Sequence, residues 1–310
     1  MIIEHLSESL FMAEYDILNF ALTSPHRYKV YEIPKRNSIK KRTIAHPAKE
    51  LKFIQRNLAK LLKDKLPVHE VAYAYRNGLG VKENAYQHSH SKYLLKMDFE
   101  NFFPSITPKL FFTVAENMGI IFDKQDQLIL TGLLFWKPKD TDKLVLSIGA
   151  PTSPLISNFI MYSFDELINT KCVNRKITYT RYADDITFST KIKNNLFDLP
   201  SFISSCLSQS VDGIKINTLK TVFTSKAHNR HVTGVTLTNE GGLSIGRERK
   251  RLISSMVHKS TFNTLTIEEA SHLLGLLSYA THIEPKFRDR IVKKYGVSAL
   301  INIKLRANGG

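Results

Sequence analysis

Three carboxylates have types and spacing that could do chemistry. Asp184 and Asp185 are adjacent, in Tyr182-Ala183-Asp184-Asp185, and Asp98 ends the short apolar run from Tyr93 to Met97. β-Branched and aromatic residues alternate with others on both sides of the pair, at 177–181 and 186–189, which predicts a hairpin with the acids at its tip. Adjacent aspartates near a core repel each other and lose hydration, so both stay ionised only where cations neutralise them. Magnesium binds a few carboxylates together with substrate phosphates, which such a tip can offer. Two such ions about 3.5–4 Å apart would support phosphoryl transfer, one at the attacking hydroxyl and one at the leaving group. Taken alone, the tetrapeptide reads equally well as a solvated Asp-Asp turn.

The charge of the chain narrows the partner. Its 310 residues carry a formal +16, while 43% hydrophobic and 23% charged residues are ordinary for a folded protein. So large an excess predicts a polyanion, with nucleic acid favoured over an anionic membrane. Residues 1–23 hold four acids and no Lys or Arg, residues 24–65 hold 13 basic and 3 acidic residues, and residues 243–310 hold 12 and 5. Two basic arms around a nearly neutral centre suggest a groove gripping a phosphate backbone; two solvated Lys-rich faces are the alternative. Cys172 and Cys206 have no metal spacing, and His88 and His90 lack a third ligand nearby. No basic leader and no apolar run of membrane length is present, so a cytoplasmic protein is expected, with no membrane partner.

Several elements must position these residues. Leu6, Leu10, Ala13, Ile17 and Phe20 predict one amphipathic helix over 1–23. Two strands around a polar turn from Pro34 to Lys40 predict a basic hairpin, followed by a helix over 49–66. Residues 71–93 read as a loop, with aromatic and basic residues interleaved. Helices are expected over 107–119 and 123–135, after the rigid turn Gly149-Ala-Pro-Thr-Ser-Pro154, and near 197–209. The last third predicts helices at 247–258, 266–279 and 285–295, the second opened by the capping box Thr266-Ile-Glu-Glu269.

Five boxes in consistent order carry a resemblance. Tyr182-Ala-Asp-Asp185 resembles the catalytic box of reverse transcriptases, Asp98-Phe-Glu-Asn-Phe-Phe103 their upstream aspartate box, and Gly149-Ala-Pro-Thr-Ser-Pro154 their nucleotide-side turn. Asn84-Ala-Tyr-Gln-His88 and Val232-Thr-Gly234 are similar to two elements of bacterial retron reverse transcriptases. The resemblance implies an α+β right-hand polymerase with fingers, a palm of antiparallel sheet and packed helices, and a helical thumb. The corresponding division is an N-terminal helix 1–23, fingers 24–95 and 107–148, palm 96–106 and 149–242, and a thumb 243–310 that recognises RNA.

The resemblance also implies roles. Asp98 and Asp184, with Asp185 more weakly and the carbonyl of Phe99, would hold two Mg²⁺ ions. Lys220, in Asn217-Thr-Leu-Lys-Thr221, would approach the leaving pyrophosphate. Phe103 stands at the steric gate against a 2′-hydroxyl, or is a core phenylalanine. Ala150 belongs to the nucleotide-side turn, and Arg42, or else Lys29 or Lys41, would meet the triphosphate of the dNTP. Thr233-Gly234 would seat the primer end, and a small residue there permits close backbone approach. Asn84 and His88 would handle RNA or cDNA, with a satisfied structural histidine the alternative. Arg247 and Arg251 would contact RNA, or belong to a solvated helix face. One departure stands out: Ser147 and Ile148 occupy the positions where the family often has Pro-Gln.

The implied activity is RNA-directed DNA synthesis on the enzyme's own structured noncoding RNA, giving msDNA, a branched RNA-linked DNA primed from a guanosine 2′-hydroxyl. The length leaves no room for a ribonuclease H, maturase or endonuclease domain. The family also implies an antiphage system with an effector protein as partner. Two other readings stay open: a small reverse transcriptase of another type, and a nonpolymerising RNA-binding component.

Overall fold

The computed structural model describes residues 1–34 and 41–309. The chain forms two compact units, each drawn from discontinuous stretches: Met1–Arg76, Met97–Ile186 and Phe197–Thr221 in the first, Asn77–Lys96, Thr187–Leu196 and Val222–Gly310 in the second.

In the first unit, the N-terminal segment is two helices, Ile2–Leu10 and Glu14–Thr23, not one. Phe11 takes φ 53° and its N–H caps the Ser7 carbonyl, while the Ser7 hydroxyl donates to the Met12 carbonyl at 2.7 Å. This local hydrogen bonding turns the chain where periodicity alone would continue the helix. The second helix packs on Lys124–Leu134, where a Cβ on Gly132 would lie 2.1 Å from the Ala21 carbonyl oxygen; only glycine permits that approach. The basic hairpin pairs Tyr28–Pro34 with Lys41–Pro47 antiparallel, and an exposed Lys41–Glu32 ion pair spans it at 3.0 Å. The polar turn expected there falls on residues 35–40, outside the described residues. Helix Lys49–Lys63 follows, burying Leu51, Ile54, Leu58 and Leu62.

Helices Ser153–Ile160 and Tyr162–Asn174 bury Ile156, Phe159, Ile160, Phe164 and Ile168 on one side. Strand Thr178–Tyr182 then turns through Ala183 into Asp185–Thr190. Strand Tyr93–Glu100 places Phe99 opposite Ile216 and Glu100 opposite Lys215, antiparallel.

The second unit has its own apolar core. Ala85, Val232, Val235, Ile253, Val257, Leu273 and Leu277 are buried together. They come from a short helix, Val81–Gln87, from a three-stranded antiparallel sheet (Arg230–Val232, Val235–Leu237, Leu243–Ser244) and from the helices Arg247–Ser260 and Ile267–Ile283. Val222–Ser225 pairs antiparallel with residues 93–96. The loop expected over 71–93 therefore contains a helix, which the sparse apolar residues of Val81-Lys-Glu-Asn-Ala-Tyr-Gln87 conceal. The Thr266–Glu269 capping box is present, with bonds of 3.2 and 3.0 Å. The last helix runs past residue 295 to Ala307 through a kink at Gly296, whose φ is 81°.

Candidate active site

Strand pairing in the first unit brings the predicted carboxylates together. The Phe99 N–H donates to the Asp184 carbonyl at 3.1 Å, and the Asn217 N–H donates to the Asp98 carbonyl at 2.8 Å. Asp98 thus sits on a strand flanked on one side by the acidic hairpin and on the other by the segment leading to Lys220. The Lys220 ammonium lies 2.9 Å from both Asp98 oxygens, from an exposed short 3-10 turn. Asp98 is buried, Asp184 half-buried and Asp185 exposed. Burial, and then the charge of Asp98, lift the Asp184 carboxyl above the usual range; a backbone hydrogen bond, Lys220 and Arg42 oppose this.

Arg42 lies on the exposed end of its strand and acts electrostatically on both Asp184 and Tyr75. The Phe99 ring is buried, stacked on Phe102 with centroids 5.3 Å apart, so only its backbone is available to the site. Phe103 is half-buried at the edge of this aromatic group, 5.6 Å from Phe102. The nucleotide-side turn is tied to the basic hairpin. The Ile148 carbonyl accepts from the Ala45 N–H at 3.1 Å, and the buried Ser147 hydroxyl donates to the Ala45 carbonyl while accepting from the Ala150 N–H, both at 3.1 Å. Gly149 has φ 131°, and a Cβ there would stand 3.1 Å from the Ala45 oxygen. Ser147 therefore braces the turn that carries Ala150 through its side chain, and Ile148 through its backbone alone.

Behind the acidic tip lies a group the sequence reading missed. Arg181 and Asp165 form an ion pair at 2.6 Å with both side chains fully buried. Tyr179 donates to Asp165 at 2.7 Å, and Arg181 Nη1 donates to Asn158 Oδ1 at 3.0 Å and to the Ala183 carbonyl at 3.3 Å. Burial opposes the guanidinium charge, but Asp165 outweighs it and raises Arg181; burial and Asp165 raise the Tyr179 phenol well above its usual value. A signal was available: Ile177, Tyr179 and Arg181 share one strand face by parity, and a charge on an apolar face requires a buried partner.

In the second unit, Thr233 and Gly234 form a tight turn with φ 46° and 78°. Asn84 Nδ2 donates to Thr233 Oγ1 at 3.4 Å, and Arg249 donates to the Gly234 carbonyl at 2.8 Å. His88 is fully buried, 2.8 Å from the Ser189 hydroxyl, and burial lowers its pKa to about 3. Asn84 is buried as well, and its Oδ1 has no hydrogen-bond partner among the described residues. Arg247 and Arg251 are exposed one helical turn apart, whereas Lys250 is engaged with Glu284 at 2.8 Å.

Residues 33–237 match the family described as reverse transcriptase (RNA-dependent DNA polymerase). The Retron Ec83 reverse transcriptase of Escherichia coli is 44% identical over 96% of this chain and 96% of that protein. The Retron Ec86 enzyme of the same organism is 29% identical, covering 91% and 87%, and the Retron Ec73 enzyme 31%, covering 88% and 89%. The chain belongs to the retron reverse transcriptases. It is an RNA-directed DNA polymerase, and its α+β structure is the right-hand fold of that family.

Reverse transcriptases use divalent metal ions, and the donor set here fits one. Asp98 and Asp184 are close enough for one charge to disfavour the other, which a hard cation would relieve. Among the described residues no group of three or more His, Cys, Asp or Glu stands together as a metal cage. Two carboxylates completed by substrate phosphates match the way magnesium is usually held. No helix of the described reverse transcriptase is long and apolar enough to cross a membrane.

Proposed function

We propose that this reverse transcriptase copies its own structured noncoding RNA into msDNA, a branched RNA-linked single-stranded DNA, from a guanosine 2′-hydroxyl primer. The observation that carries the chemistry is the convergence of Asp98 and Asp184, with Lys220 against Asp98. The similarity over nearly the whole length of a retron enzyme supports the choice of RNA and product.

Asp98 and Asp184, with Asp185 and the Phe99 carbonyl, would hold two Mg²⁺ ions. Bound there, the metal supplies the charge that polarises the attacking hydroxyl and neutralises the departing pyrophosphate. Lys220 keeps a cation beside Asp98, where it offsets charge building on the leaving group and can donate a proton. Arg42 draws the dNTP triphosphate toward Asp184, and Ala150 forms part of the nucleotide wall. Phe103 lies under the sugar and excludes a 2′-hydroxyl. Thr233-Gly234 seats the primer end, and Asn84 and His88 handle RNA or cDNA. Arg247 and Arg251 grip RNA phosphates by charge, in keeping with recognition of RNA largely through shape and backbone. Residues 24–95 and 107–148 act as fingers, 96–106 and 149–242 as palm, 243–310 as thumb, and 1–23 as an N-terminal appendage. The enzyme works in the cytoplasm, in an antiphage system that includes an effector protein.

Sequencing the nucleic acid that copurifies with the enzyme tests the product. A branched molecule joining RNA to cDNA through a 2′ linkage is expected; linear cDNA alone would point to a different small reverse transcriptase. Asp184→Asn combined with Asp185→Asn should abolish primer extension and leave RNA binding intact. Extension surviving in that variant would remove the polymerase assignment of these residues. Phe103→Val should raise ribonucleotide incorporation by roughly tenfold, and unchanged discrimination would take the gate away from Phe103.

A further inference from the structure

The buried Arg181–Asp165 pair needs an explanation other than stability. Taking both charges out of water costs several kcal/mol, and apolar residues of similar volume often do as well or better. Here the guanidinium uses its fork in two directions. Nε and Nη2 face Asp165, with Nε 2.9 and 3.0 Å from its two oxygens and Nη2 2.6 Å from Oδ2. Nη1 turns the other way, to Asn158 and to the carbonyl of Ala183, the residue preceding Asp184. Ala183 has φ 56°, a conformation an alanine keeps only where its surroundings impose it. The peptide group is planar, so fixing the Ala183 carbonyl fixes the plane from which the Asp184 backbone leaves.

The same network secures the segment beside the tip. Asn158 Nδ2 donates to the Ala74 carbonyl at 3.0 Å, the Arg181 N–H donates to the Val71 carbonyl, and the Tyr73 N–H donates to the Arg181 carbonyl, both at 2.8 Å. Tyr75, next in the chain, has φ 63° and feels the charge of Asp184. One buried cation thus ties together the peptide before the catalytic aspartate and the strap alongside it.

We propose that Arg181 is a positioning residue for catalysis: held by Asp165 and Asn158, it sets the peptide plane that aims the Asp184 carboxylate at its metal. This rests on the reading of Asp184 as a metal ligand. Lysine at 181 keeps the charge opposite Asp165 but lacks the planar fork that reaches Asp165 on one side and Asn158 and Ala183 on the other.

The test uses Arg181→Lys in the full chain, with thermal unfolding, steady-state primer extension, and Mn²⁺ binding followed by electron paramagnetic resonance. Expected are cooperative unfolding, a dNTP KM within twofold of wild type, a fall in kcat on the order of 10- to 100-fold, and a several-fold higher Mn²⁺ concentration for half-saturation. A lower melting temperature with kcat and Mn²⁺ binding unchanged would make the network structural only and overturn the proposal. If Arg181→Lys does not fold, Asn158→Ala replaces it; a smaller shift in the same two readouts is expected, and no shift overturns the proposal. Asp184→Asn separates the two layers of the argument. If it loses Mn²⁺ binding while Arg181→Lys keeps it, the positioning role alone fails. If Asp184→Asn itself binds Mn²⁺ like wild type, the metal reading fails and the positioning role with it.

Discussion

Of the turns that hold a non-glycine residue in the left-handed region, two belong to proposed site residues: Ala183 ahead of Asp184 and Thr233 ahead of Gly234, with φ 56° and 46°. Behind the first stand full charges with no exposure, Arg181 and Asp165. The second is held from a more exposed side, by Arg249 on the Gly234 carbonyl at 2.8 Å and by a long neutral bond from Asn84 to Thr233 at 3.4 Å. The contrast follows from what the two turns carry. A carboxylate proposed as a metal ligand gains from the strong, directional bonds of a guanidinium fork. A turn proposed to seat a primer end needs a close backbone surface, which an exposed cation and one long neutral bond can maintain. The buried ionic support depends on every partner being present, while the more exposed one tolerates the loss of a single contact.

Removing one charge is the severest way to break the comparison. Arg181→Met leaves Asp165 buried without its cation and should cost about 3–5 kcal/mol in denaturant unfolding. Pairing it with Asp165→Leu should return most of that loss, because an apolar pair replaces an ionic one at little net cost. Activity should not return with stability, since nothing then holds the Ala183 carbonyl. In the second unit the corresponding change, Asn84→Ala, should cost only about 1 kcal/mol, the loss of one long hydrogen bond.

Acid acts on the second unit through His88, buried against Ser189, and leaves the Arg181 network unchanged. Native His88 stays neutral down to about pH 3, whereas an unfolded histidine takes its proton near 6.5. Between those values the unfolded chain binds more protons, so stability is lost as pH falls through this window. From pH 7 to pH 5 wild type should lose about 2 kcal/mol more than His88→Gln. Arg181 and Tyr179 are both shifted upward and hold their protons throughout that range. Equal acid sensitivity in wild type and His88→Gln would mean that His88 is not the buried neutral group described.

The site was legible where chemistry is local in sequence, and less so where packing assembles it. Asp184 and Asp185 announce themselves as neighbours between two alternating strands. Asp98 and Lys220, 122 residues apart, could be matched only because each lies in a recognisable box. Arg181 was in plain view beside Tyr182 yet went unassigned, because its partner Asp165 lies 16 residues upstream on a helix whose inward face was read from apolar residues alone. The helix Val81–Gln87 was hidden for a related reason. It buries Asn84 and Ala85 more than any long apolar stripe, so periodicity gave no sign of it. At Phe11 a single left-handed residue set a helix boundary that propensity alone does not, while Gly296 interrupts the last helix where its expected span ends.

The finest test of the contrast replaces each strained residue with glycine. Ala183 has only a methyl side chain, so Ala183→Gly relieves the left-handed backbone and loses no side-chain hydrogen bond. About 1 kcal/mol of strain is released, partly offset by the extra freedom of glycine in the unfolded chain, leaving a gain of about 0.5 kcal/mol. Thr233 is β-branched and more strained, but its hydroxyl accepts from Asn84 and donates to the Val81 carbonyl, both at 3.4 Å. Thr233→Gly therefore trades a larger relief for both contacts and should leave stability within about 0.5 kcal/mol of wild type. Urea titrations of the two variants and of Thr233→Gly with Asn84→Ala complete the comparison. If side chains hold the second turn, adding Asn84→Ala to Thr233→Gly costs less than Asn84→Ala alone, since the shared bond is already gone. Strict additivity would mean that the Asn84–Thr233 contact carries no energy, and that this turn is held by its backbone and by Arg249 on the Gly234 carbonyl.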